Sequence, residues 1–172
     1  LLNTTLSQNT ANRNGGGLFL TLGSATLTNC TITKNQADQI NSGIADGGGI
    51  FRDGGDLSLR NTIVALNYDT PDNQGLGNIH ADVSGVATSL GHNLIGIGNG
   101  STAFVNGIMG DIVGIASPPL LDPLLGPLAD YGGPTLTHIP RVNSPVIDAG
   151  ASAEGDGIPE TDQRTLTFNR IV

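Results

Sequence analysis

Short apolar stretches of three to five residues alternate along the whole chain with stretches rich in Asn, Thr and Gly. That texture predicts short strands broken by turns and leaves no room for long helices. The pattern also repeats. NTTLSQN at 3–9, NCTITKN at 29–35 and NTIVALN at 61–67 share Asn at both ends, a small second residue, Thr or Ile third and an aliphatic fourth. NLIGIGN at 93–99 keeps both Asn but has Gly96 in the fourth place. The first Asn recurs at steps of 26, 32 and 32 residues, and GGGLF at 15–19 returns as GGGIF at 47–51. One repeat is therefore about 26 residues plus loop insertions.

Superposing the repeats lines up Leu1, Leu27 and Leu59, then Leu6, Ile32 and Val64, then Thr4, Cys30 and Thr62. A β-sandwich shares the alternation and the turn spacing but does not demand such columns. A parallel β-solenoid does, because each side chain rests on its equivalent about 4.8 Å along the axis. The expected fold is all-β, a right-handed parallel β-helix with coils over 1–99 and a Gly/Pro-rich region over 100–172 that continues or caps it. Asn3, Asn29 and Asn61 form one expected ladder, and Asn9, Asn35 and Asn67 a second, with amides bonding up and down the stack. The Gly triplets mark corners whose backbone a Cβ would forbid.

Composition narrows the chemistry. Six of 172 residues are aromatic, none is Trp, and Gly at 26 is twice its usual share, so the core is a thin aliphatic one. A net charge of −8, with Lys34 the only lysine, repels phosphate backbones and argues against nucleic acid as a partner. No apolar run nears the roughly 18–20 residues that cross a bilayer as a helix. Cys30 is alone, so it forms no intramolecular disulfide and reads as a small buried side chain.

From Asp82 onward the text DVSG, SLGHNLIG, GDIVG, DPLLGPLADYGGPTLTHIP, SPVIDAG and TDQR is similar to the C-terminal region of bacterial surface proteins grouped as choice-of-anchor β-helix proteins. The earlier coils resemble those of the pectin-lyase-like class. The resemblance implies a parallel β-helix and a secreted, cell-surface or extracellular location, and it implies no particular reaction. Chains of that kind run on into a closing strand, and this one starts inside a repeat, so it is expected to be part of a longer polypeptide. An unpaired first coil also makes end-to-end self-association into a filament an expectation.

Candidate chemistry is sparse. Asp148, Glu154, Asp156, Glu160 and Asp162 fall in one Gly-rich stretch, and clustered carboxylates suit calcium, which takes six to eight oxygen ligands. The alternative is a solvated loop in which Asp148 caps backbone amides. Arg52, Asp53, Asp56 and Arg60 cluster near the second Gly triplet with Asp46, but Leu20 and Thr21 stand in the places of Arg52 and Asp53 one repeat earlier. No charged column results, and no catalytic residue is assigned. His80, His92 and His138 lack a metal-ligand spacing. Asn3, Asn29 and Asn99 begin formal glycosylation sequons, incidental in a bacterial-looking chain. The expected function is extracellular structure or adhesion, with segments 38–46 and 69–79 displayed toward a cell-surface or polysaccharide partner. The alternative is a polysaccharide lyase or hydrolase whose groove lies mainly upstream.

Overall fold

The structure is a computed structural model that describes residues 1–42, 45–70, 80–117, 119–151 and 158–164. Among these residues there is no helix, and hence none long and apolar enough to cross a membrane. Eleven short strands make three sheets. The first repeat gives β1 (Thr5–Ser7), β2 (Leu18–Leu20) and β3 (Ser24–Thr28); the second gives β4 (Thr31–Thr33), β5 (Ile50–Arg52) and β6 (Asp56–Arg60). The third gives β7 (Ile63–Ala65), β8 (Val83–Ser84) and β9 (Thr88–Ser89), followed by β10 (Leu94–Ile95) and β11 (Ile112–Val113). The sheets are ordered β1-β4-β7-β10-β11, β2-β5-β8 and β3-β6-β9, and every strand pair is parallel. Each repeat therefore lays one strand into each sheet before the next repeat begins.

The registers match the expected columns. Leu6 pairs with Ile32 and Ile32 with Val64, and the column runs on through Ile95 to Val113. Ile32, Val64 and Ile95 are fully buried, as are Leu27, Leu59, Ile50 and Val83 from the other two sheets, while Leu6 and Val113 pack partly buried against them. Cys30 is buried in the same cluster, and burial pushes its thiol pKa up.

Two readings change. Spacing aligns Asn93 with Asn61, but Leu94 pairs with Ile63, which sets Asn93 beside Thr62 and His92 beside Asn61. The step there is 31 residues, because the corner position needs a left-handed residue: Asn3, Asn29, Asn61 and His92 all sit at φ between 47° and 57°. Asn and His tolerate that region better than most side chains. The Gly triplets have the expected conformational cause at one glycine each and a steric cause at the other two. Only the first Gly of each, Gly15 and Gly47, has positive φ. A Cβ on Gly48 would strike the Tyr68 backbone, and one on Gly49 would lie 2.8 Å from the Asn67 amide nitrogen. The later glycines make room for the neighbouring corner.

Candidate functional site

Both Asn columns are hydrogen-bonded ladders, and they run in opposite senses. In the inner one, Asn9 donates Nδ2–H to Asn35 Oδ1 at 2.9 Å, and Asn35 donates to Asn67 Oδ1 at 3.0 Å. Each Oδ1 also accepts the backbone N–H of the Asn before it. In the outer one, Asn61 donates to Asn29 Oδ1 at 3.2 Å and Asn29 to Asn3 Oδ1 at 3.1 Å.

The inner ladder ends on Asp82, a residue that repeat spacing does not single out. Its Oδ1 accepts the backbone N–H and the Nδ2–H of Asn67 at 3.1 and 2.8 Å, and its Oδ2 accepts Ile97 N–H at 2.7 Å. Asp82 pairs in register beyond Gly49, so at this level a side chain enters the corner from the opposite arm, and Gly98 stands where another Asn would be. Asp111 does the same for Asn93, accepting its N–H and Nδ2–H on Oδ1 at 2.9 and 3.1 Å and the Ser89 hydroxyl on Oδ2 at 2.6 Å. Both carboxylates are buried. Burial pushes the Asp82 pKa up to about 7 against the pull of its N–H donors, with nearby Asp69 adding to the rise.

A cleft of about 280 Å³ lies between the outer face of the five-stranded sheet and the segment that follows β11. Its floor is the outward-facing row Thr5, Thr31, Ile63, Leu94 and Ile112, polar at one end and aliphatic at the other. The covering segment is short of regular structure. It holds two isolated antiparallel bridges, Leu125 with Pro140 and Ala129 with Thr137. Side chains fasten it instead. Asn3 donates to Thr161 O at 3.0 Å, Thr5 donates to Gln163 Oε1 at 2.7 Å, and Asn61 Oδ1 accepts Ala151 N–H at 2.9 Å, so the outer ladder is capped at both ends. Buried His138 joins Ser7 Oγ at 2.9 Å to Gly126 O at 2.7 Å, and His92 meets Ala149 O at 2.9 Å.

No family model, curated protein or solved structure matches the chain.

The candidate residues of the sequence separate accordingly. His92 and His138 are brought to one cleft, each with a ring nitrogen engaged by a backbone carbonyl, while His80 lies elsewhere, 3.4 Å from Asp46. Of the acidic stretch, Asp148 and Asp162 line the cleft and Glu160 is exposed, while Glu154 and Asp156 lie outside the described residues. Asp162 is held by Arg164 at 2.6 Å. Among the described residues no three His, Cys, Asp or Glu side chains stand together as a metal site. Arg52 donates to the carbonyl of Gly55 within its own turn. Segments 38–46 and 69–79 are described only in part: 43–44 and 71–79 lie outside.

Proposed function

We propose that the chain is a length of right-handed parallel β-helix from a secreted, cell-surface protein of choice-of-anchor type, and that its work is structural or adhesive. The observation that supports this most is the bonding between repeats. Strands, inner ladder and outer ladder are all continuous from one repeat to the next, so the cross-section is tied at its corners as well as along its sheets. A rod tied in that way keeps displayed segments at fixed spacing, which is what an adhesive or scaffolding surface protein needs. The acidic surface fits a partner other than nucleic acid. Antibody raised against the chain should label intact cells of the source organism without permeabilisation. Labelling that appears only after lysis would remove the surface assignment.

The rival reading is a polysaccharide lyase or hydrolase whose groove lies mainly upstream, with the cleft on the outer sheet face as its part here. Arg52 ends a strand of a different sheet from the one that floors the cleft, and the exposed Asp53 follows it in the turn. Incubation with pectate or alginate is expected to release no unsaturated uronate detectable by ultraviolet absorbance. Release that disappears in Asp53→Asn would establish the enzyme instead.

A further inference from the structure

An asparagine followed by glycine is the asparagine most open to attack by its own backbone, because no side chain screens the next amide nitrogen and the glycine backbone turns freely. The chain has three such pairs, Asn14-Gly15, Asn99-Gly100 and Asn106-Gly107. The fold treats them differently. Asn14 Oδ1 accepts the backbone N–H of Asp46 at 2.9 Å, and Gly15 N–H donates to Asp46 O at 3.1 Å, so both reacting groups are tied to the next repeat. The other two pairs form a closer comparison. Each is the centre of a β-turn, the first closed by Ser101 N–H to Gly98 O at 3.2 Å and the second by Ile108 N–H to Val105 O at 3.0 Å. Such a turn bonds its outer residues and leaves its central N–H groups over. In the second turn other residues take them up: Gly107 N–H donates to Asp111 O at 2.8 Å, and Asn106 Oδ1 accepts Val113 N–H at 3.0 Å. In the first, Asn99 is exposed, and among the described residues neither its side chain nor the Gly100 N–H has a hydrogen-bond partner.

We propose that Asn99 is a site of spontaneous deamidation, selected by the fold over the other Asn-Gly pairs. Hydroxide takes the proton of the Gly100 N–H, the nitrogen bonds to Asn99 Cγ, and the Cγ–Nδ2 bond breaks as ammonia leaves with a proton from water. The cyclic imide then takes up water, which opens it at either carbonyl to aspartate or isoaspartate, and nothing is oxidised or reduced. Either product adds a negative charge at the turn. Isoaspartate also inserts a methylene into the backbone beside Gly100, whose carbonyl accepts Gly85 N–H at 3.0 Å and whose Cα lies so close to the Val83 carbonyl that a Cβ would strike it. The modification therefore loosens the corner after β8 as well as changing its charge. This site stands independently of the structural reading above.

Ageing of the folded chain in mildly alkaline buffer tests it, with conversion at each asparagine followed by peptide mapping and tandem mass spectrometry and a sample unfolded in urea as the reference. Expected in the folded chain is conversion at Asn99 about tenfold or more faster than at Asn14 and Asn106, since at each of those two hydrogen bonds must break before the ring can close. In urea the three rates should agree within about threefold, because the protecting bonds are gone. Asn99→Gln should abolish the signal at that position while the melting temperature and the rates at Asn14 and Asn106 hold. Conversion at Asn14 or Asn106 that equals or outpaces Asn99 in the folded chain overturns the proposal, and so does protection of Asn99 by folding of about tenfold or more relative to urea.

Discussion

At the scale of the residue, an Asn ladder can be extended or stopped by a single atom. An Asn donates and accepts, so it passes the pattern to the next level; a carboxylate only accepts, so it ends it. Asp82 has N–H groups on both oxygens, and an Asn there that kept Asn67 on its Oδ1 would turn an NH₂ toward Ile97 N–H. The carboxylate brings a pH dependence with it. Its pKa rises from the usual 3.8 to about 7 on folding, so between about pH 4 and 7 the native state holds a proton that the unfolded chain has released, and above that range it is the carboxylate. Stability therefore falls as pH rises between about 4 and 7, and this contribution is constant outside that window. A tenfold change in proton affinity corresponds to about 1.4 kcal/mol, so the whole loss across the window is at most about 4 kcal/mol. Denaturant unfolding across pH 4 to 8 should show the wild-type chain losing stability relative to Asp82→Asn through that window. Parallel profiles would mean that Asp82 does not titrate there.

At the scale of the element, glycine is used for two different reasons that a substitution separates. Gly23 has φ of +76° with open space where a Cβ would go, whereas Gly48 has ordinary φ but its Cβ would run into the Tyr68 backbone. Strain of the first kind costs about 1–2 kcal/mol, and a collision between neighbouring levels of the stack displaces whole strands. Gly48→Ala is expected to lower the melting temperature more than Gly23→Ala; the reverse order would show that levels slide past one another freely. Strand columns such as Leu6, Ile32 and Val64 were legible because a parallel stack forces equivalent residues into line, and both Asn ladders follow from the same constraint. The offset of Asn93 was not, since backbone conformation at His92 decides it and residue spacing does not. Asp82 and Asp111 did leave a signal, in the like-patterned DVSG and DIVG at 82–85 and 111–114, where Asp precedes a strand and Gly follows. The cleft could not be foreseen. Its covering segment has no periodicity, and its place on the sheet is set by side-chain bonds between residues as far apart as Asn3 and Thr161.

At the scale of the whole molecule, the two parts are held by different physics and should fail separately. The repeats share a continuous buried core and unbroken parallel pairing, so loss of one strand exposes its neighbours on both sides. The segment beyond β11 rests on the outside of that stack and depends on a few polar clasps, with Leu125 and Ile158 as buried aliphatic side chains. His138 is the clasp with the most at stake. It is 8% exposed and satisfies both Ser7 Oγ and Gly126 O, so His138→Phe keeps the bulk of the ring while leaving two polar groups of the interface without a partner. Each orphaned group costs about 1–3 kcal/mol, enough to raise the open population of the segment by one to several orders of magnitude. Native-state hydrogen exchange reads this residue by residue. The amides of Gly126, Ala129 and Thr137, which bond to Ile139, Thr137 and Ala129 within the segment, should exchange faster in the variant, while those of Ile63 and Leu94, bonded to Cys30 and Thr62 across the sheet, keep their protection. Equal acceleration at all five positions would show that segment and stack unfold as one unit, and would leave the side-chain clasps with no separate role.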